Sequence, residues 1–152
     1  MYNDTITLFN RLPSRTQGDK WFPVVLTGVD VNMDRASIIK AMGAEVSDSV
    51  SLHIRYSKDE NGNILIGDRQ YVLPKEYIKI AAENLPEYIT FKSGNSFDFF
   101  YVGEWQDTEP INDDDYLKGF YDHMNSEYDN VFTISTVSGA YDLIPHFEIL
   151  GK

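Results

Sequence analysis

Histidine is the residue type in this sequence best suited to acid–base or metal chemistry, and it occurs at His53, His123 and His146. His146 and Glu148 have the His-x-Glu spacing found in zinc deaminases, where the histidine binds zinc and the glutamate transfers protons. That signature also needs two cysteine ligands, and the chain has no cysteine. His53 lies in a segment that alternates polar and apolar residues, which predicts a position on the polar face of a strand. We therefore assign no metal or catalytic role to the histidines.

One stretch partly matches a calcium-binding loop. Asp59, Asn61 and Asn63 occupy the first, third and fifth positions of the EF-hand pattern, but Ile64 replaces the required glycine and Gln70 the required glutamate. The Asn-Gly pair inside this stretch favours a hairpin turn. We interpret it as a turn.

A second acidic stretch offers Asp113 and Asp115, followed by Leu117 where an oxygen ligand would be needed. A helix N-terminus explains these aspartates better, because carboxylates stabilise the first turn of a helix. The 24 acidic residues also form too many possible pairs to single out an acid–base couple. The sequence thus predicts no catalytic residue, no cofactor-binding residue, no metal ligand and no enzyme activity.

The chain has 152 residues and a formal net charge of −11, which is unevenly distributed. Residues 98–129 hold ten acids against Lys118, a net charge of −9, while the remainder has 14 acids and 12 bases, a net charge of −2. Such a chain should not bind nucleic acid through phosphate contacts or favour anionic membranes. It also lacks the run of ~20 apolar residues that spans a bilayer, so we expect a soluble protein without membrane contacts.

Alternation, turn residues and helix caps predict a single domain over residues 1–152. Its fold class should be β-rich, mainly β with inserted helices (α+β), and built as a small β-barrel or sandwich. Strands are predicted at 5–12, 21–31, 50–56, 64–66, 71–73, 88–91, 97–105, 131–137 and 143–150, and helices at 34–43, 74–84 and 112–127.

The last predicted strand continues almost to the end of the chain. Residues 146–150 are expected to pair with 131–137, after a turn around Ser138 and Gly139. Pro145 suits the start of an edge strand, because proline cannot donate a ladder hydrogen bond. We therefore predict a free edge at which Phe147, Ile149 and Leu150 contact a neighbouring subunit or an adjacent ring of an assembly.

The order of features along the chain is similar to that of a known group of viral proteins. The features are a start MYNDTITLFNRL, a tryptophan-led strand WFPVVLTGVDVN, the strands DSVSLHIRY and YITFKSGNSFDFFYVGEW, and an end IPHFEILGK. Together they resemble the head–tail connector proteins of phages and prophages of Gram-positive bacteria, in particular the head-closure or stopper proteins, also labelled minor capsid proteins.

The resemblance implies a structural protein of the virion neck, assembled in the cytoplasm of the host bacterium. Such proteins form a homo-oligomeric ring, here expected to have twelve or six copies, between a portal or adaptor ring and the tail proteins. The ring retains packaged DNA, which passes through the channel without sequence-specific binding. No cofactor is implied. The alternatives are a tail-completion or terminator protein of the same virion, and a stand-alone binding module or metal-dependent enzyme.

The acidic segment suggests how such a ring could treat DNA. Duplex DNA carries one phosphate charge per ~1.7 Å of its axis, so an acidic channel would repel it whatever its sequence. On this hypothesis the channel-facing residues are the densest acids of the segment, namely Asp107, Glu109, Asp113, Asp114 and Asp115. The alternative is an ordinary solvated helix face.

Overall fold

Strands dominate the described part of the chain. The computed structural model describes residues 2–14, 16–33, 50–141 and 145–152, with the side chains of 139–141 excepted. The strands are Asp4–Leu12 (β1), Lys20–Asn32 (β2), Val50–Arg55 (β3), Ser57–Lys58 (β4), Ile64–Ile66 (β5), Arg69–Tyr71 (β6), Tyr88–Ile89 (β7), Phe99–Tyr101 (β8), Ile111–Asn112 (β9), Val131–Tyr141 (β10) and His146–Gly151 (β11). Most lie close to their predicted positions. The strand predicted at 97–105 is much shorter, because Asp98 turns into the interior and Gly103 bends the chain with a φ of 152°.

The helices are shorter than predicted. An α-helix spans Pro74–Tyr77 (α1), and a 3-10 helix follows at Ala82–Glu87, so the single helix predicted over 74–84 is wrong. Pro86 lies inside the second piece and lacks the N–H that a longer helix would use. The helix predicted at 34–43 lies outside the described residues.

The acidic helix predicted over 112–127 is also wrong in its first half. A 3-10 turn occupies Asp113–Asp115 and an α-helix spans Phe120–Glu127 (α2). Gly119 separates them with a φ of 94°, a conformation that ends regular helix geometry. Leu117 is 99% exposed in this break.

Six strands close into a β-barrel. The order β1-β8-β10-β11-β3-β2 returns to β1 through a long antiparallel pairing of β1 with β2. All six neighbouring pairs are antiparallel. β9 pairs with the first residues of β2, and β4-β5-β6-β7 form a separate small sheet. The predicted β-rich fold class with a small barrel and inserted helices is therefore confirmed.

The barrel interior is filled by the inward-facing residues of its strands, mainly aliphatic with a few phenylalanines. Leu52 and Ile54 of β3, Ile149 of β11 and Phe100 of β8 are fully buried or nearly so. The small sheet covers part of this core, and the Tyr71 ring lies 4.7 Å from that of Phe147. Burial of these side chains is the main force holding the barrel together.

A second, mostly aromatic core lies on the outside of the barrel wall. Phe9 and Phe99 point outward from β1 and β8, their ring centroids 4.9 Å apart, and Trp21 packs against them. Phe120 and Met124 of α2 cover this cluster from the solvent side. α2 therefore positions the acidic segment that precedes it against the barrel.

A buried polar network joins β1 to the segment that leads into β8. The Asp98 carboxylate accepts hydrogen bonds from Asn10 Nδ2 at 2.8 Å, Arg11 N at 2.8 Å and Lys92 N at 3.0 Å. Lys92 Nζ lies 3.6 Å from the same carboxylate and donates to the Arg11 carbonyl. Burial raises the pKa of Asp98 to about 7, because the effect of burial outweighs the opposing Lys92 charge and the three donors.

The Asn-Gly segment forms the predicted turn between β4 and β5. Gly62 has a φ of 83°, and the Asp59 carboxylate accepts hydrogen bonds from the backbone of Asn61 and from the backbone and side chain of Asn63. These bonds, chiefly those from Asn63, lower the pKa of Asp59. The carboxylate thus stabilises the turn, which agrees with the sequence interpretation.

Candidate functional site

Polar side chains line the outer face of the barrel where β2, β3 and β11 run side by side. His53 on β3 lies directly opposite Asp30 of β2 on one side and Glu148 of β11 on the other. Residues opposite each other in a ladder point to the same face of the sheet. Leu52 and Ile149 alternate with them and point into the core, so the strands hold this face in a fixed position.

His53, His146 and Glu148 form a compact cluster on this face. One ligand-type atom from each lies within 4.8 Å of the others. His146 Nε2 is 3.3 Å from Glu148 Oε1, and the two imidazole rings stack with centroids 5.5 Å apart and an interplanar angle of 22°. The side chain of His146 is 15% exposed and that of Glu148 is 41% exposed, so solvent reaches the cluster.

Two imidazoles and a carboxylate form a set that can hold a borderline metal ion or transfer protons. The sequence prediction found the His146–Glu148 pair but missed its connection to His53. The two histidines are 93 positions apart, and only the β3–β11 pairing brings them together. The alternation around His53 gave the one available signal, since it correctly predicted an outward-facing side chain on a strand.

The chain matches, over residues 1–152, the model of a family of unknown function (DUF6751). It belongs to that family. No curated protein and no solved structure matches it. Among the described residues of this DUF6751 protein, no helix is both long and apolar enough to cross a membrane.

The structure places four of the five predicted channel acids on the surface of the DUF6751 protein. Asp107, Glu109, Asp114 and Asp115 are all exposed. They lie in the connection from β8 to α2, which crosses the outer side of the barrel. The segment is an irregular surface connection with a short strand and a 3-10 turn. It is not a helix face, but its exposed acids are equally consistent with an ordinary solvated surface.

Asp113 does not belong with these exposed acids. Its Oδ1 accepts hydrogen bonds from Trp21 Nε1 and from the backbone N–H of Phe120, both at 2.9 Å. Asp113 N also donates to the Asp19 carbonyl at 2.8 Å. The expectation of a free carboxylate at Asp113 is therefore wrong, because this side chain joins the acidic segment to β2 and to the start of α2.

The predicted assembly interface at the last strand of the DUF6751 protein is also wrong in its main features. β11 does pair with β10 as predicted, but its other edge pairs with β3 from His146 to Gly151. Phe147 and Ile149 point into the barrel and are buried, while Leu150 is half-buried. In the closed barrel, the edge of β11 that was expected to be free pairs with β3.

The ladder between β10 and β11 extends further than predicted. β10 continues to Tyr141, and Ser138 is paired with Glu148 within the ladder instead of standing in a turn. At the other end, the backbone of Lys152 exchanges hydrogen bonds with Thr133 at 2.9 and 3.0 Å. The apolar residues thus run to the end of the chain because they form a central barrel strand.

Proposed function

We propose that this DUF6751 protein is a ring-forming structural component of a phage neck, a head–tail connector or head-closure protein that joins the portal-side complex to the tail and retains packaged DNA. The proposal is supported by the order of features along nearly the whole chain and by the small barrel with inserted helices. On this proposal the protein acts in the virion, as a ring of twelve or six copies between portal or adaptor and tail proteins.

The observation that carries the proposal is an exposed acidic surface that hydrogen bonds attach to the barrel. Asp107, Glu109, Asp114 and Asp115 project from a connection that Asp113 fixes to the barrel. Repeated around a ring axis, these carboxylates would sum to a strong negative potential. Salt screens such a field beyond ~8–10 Å, so the effect is confined to a channel whose wall lies close to the DNA.

The proposal is tested first by removing the gene from the prophage or phage that encodes it. We expect particles whose packaged heads lose their DNA and carry no tail, and restoration of both properties by the wild-type gene. Heads that keep their DNA but bear defective tails would instead identify a tail-completion or terminator protein. Normal infectious particles without the chain would refute a role in the virion.

A charge reversal tests the acidic channel separately. Changing Asp107, Glu109, Asp114 and Asp115 together to lysine should slow DNA ejection, because a basic lumen would bind phosphate. The matched control changes four exposed acids on other surfaces, Glu60, Asp68, Glu83 and Glu87, to lysine, and so alters the net charge equally. Equal ejection rates for both variants would show that the acidic segment does not face the DNA.

A further inference from the structure

We propose that His53, His146 and Glu148 form a binding site for one divalent transition-metal ion of the zinc type, with a fourth coordination position open to water. This inference concerns the outer wall of the barrel and does not depend on the proposed neck function. It departs from the sequence prediction, which assigned no metal ligand.

The spacing within the cluster fits tetrahedral coordination. Zinc binds histidine nitrogen and carboxylate oxygen at ~2.0–2.1 Å, so two ligand atoms of one tetrahedron lie roughly 3.3–3.4 Å apart. His146 Nε2 and Glu148 Oε1 are already 3.3 Å apart. The ligand nitrogen of His53 lies within 4.8 Å of the ligand atoms of His146 and Glu148. Rotation of the partly exposed His53 imidazole would shorten that distance.

The backbone frame suits a metal site because it is fixed before an ion arrives. His53 and Glu148 are direct cross-strand partners, and His146 lies two residues along β11 on the same face. Buried neighbours anchor each strand from the opposite face. Asp30 stands across the ladder from His53, and a carboxylate beside a ligating histidine is the usual means of orienting its ring.

The ligand types favour some metal ions over others. Two nitrogens and one oxygen suit Zn²⁺, and Cu²⁺ binds such ligands more strongly, whereas Mg²⁺ and Ca²⁺ prefer oxygen ligands. The Glu148 side chain is 41% exposed, so water can reach the cluster to serve as the fourth ligand. A bound ion would also link β3 to β11, so that binding stabilises the barrel.

The test uses the full chain without a histidine tag, after removal of metals by chelator. Titration with ZnCl₂ in a calorimeter, with metal content measured after dialysis, should show one ion per chain, and a large excess of Mg²⁺ should not displace it. At a free Zn²⁺ concentration 100-fold above Kd, the Tm should rise by roughly 5–11 °C for a chain of this size. Absence of saturable one-to-one binding would overturn the proposal.

Single variants identify the ligands. His53→Gln, His146→Gln and Glu148→Gln should each weaken zinc binding at least roughly tenfold, since even the outer partners of metal ligands contribute 10–100-fold. The control is His123→Gln, because His123 lies on α2 against the Tyr116 ring, 4.6 Å between centroids, and outside the cluster. Its affinity should equal that of the wild type. Undiminished binding in the three cluster variants, or an equal loss in the control, would refute the site.

Nuclear magnetic resonance gives a readout that needs no variant to fold. Zinc should shift the imidazole ¹⁵N resonances of His53 and His146 and leave those of His123 unchanged. Shifts confined to His123, or spread equally over all three rings, would contradict the assignment. Failure of any of these tests would leave the neck proposal unaffected, since that proposal makes no use of a metal.

Discussion

Ile149→Ala separates a core role of the last strand from an assembly role. Ile149 is 0% exposed and points into the barrel, between ladders that join β11 to β10 and to β3. Truncating a buried isoleucine to alanine costs about 2–5 kcal/mol, through lost burial and the cavity that remains. That is a large share of the roughly 5–15 kcal/mol by which a typical domain is stable.

The assay is urea unfolding of the purified chain, followed by circular dichroism, together with a thermal melt. A loss of about 2–5 kcal/mol should lower the Tm by roughly 4–20 °C for a chain of this size. The matched control is Ile78→Ala, the same chemical change at a side chain that is 52% exposed. It should change the free energy of unfolding by no more than about 0.5 kcal/mol.

Deletion of residues 149–152 extends the same test. It removes Ile149, buried Gly151 and the hydrogen bonds between Lys152 and Thr133, and therefore should leave the chain unfolded. A truncated chain that stays folded, or an Ile149→Ala variant that loses less than about 1 kcal/mol, would refute the core role. If such a variant also failed to assemble into virions, the original assignment of β11 to an interface would be restored.

Three further predictions follow from other parts of the structure. Asp113→Ala should destabilise the chain by about 1–3 kcal/mol and alter tryptophan fluorescence, because Trp21 Nε1 loses its acceptor; Asp129→Ala, at an exposed position, should do neither. Gly119→Ala should lower the free energy of unfolding by about 1–3 kcal/mol, since the φ of 94° at Gly119 is unfavourable for a residue with a side chain. An unchanged Tm would contradict this backbone conformation. The pKa of Asp98 is raised to about 7, so between pH 4 and 7 the folded chain keeps a proton that the unfolded chain has released. The free energy of unfolding should therefore fall by up to about 1.4 kcal/mol per pH unit as the pH rises from 4 to 7. Asp98→Asn should flatten that part of the stability profile.

The fold class was predictable because alternation and turn chemistry are local signals. The Asn-Gly turn, the strand with His53 at its polar positions and the aromatic-rich strands all lie close to where the sequence placed them. The helices were less predictable. The apolar spacing of residues 116–124 indicates one helix, but Gly119 takes a left-handed conformation and Asp113 binds two groups that are distant in sequence.

The candidate metal site depended on information that the sequence does not display. Its residues come from strands that are far apart along the chain, and their proximity depends on the β3–β11 register, in which a shift of one residue would turn Glu148 to the opposite face. The same limitation explains the error at the last strand. An amphipathic terminal strand has the same pattern whether its second edge is free or paired, and only closure of the barrel decides between them.

Closure of the barrel also constrains how copies of this chain could form a ring. β11 is paired from His146 to Gly151 with β10 on one side and with β3 on the other, so subunits cannot join by adding a strand to an edge of β11. Contacts between copies at this strand must then use its outward-facing side chains. The acidic connection between β8 and α2 is unsuited to face its own copy, because like charges repel. It should therefore face solvent, the ring axis or a neighbouring ring of the neck, and the paired charge-reversal variants test whether it faces the axis.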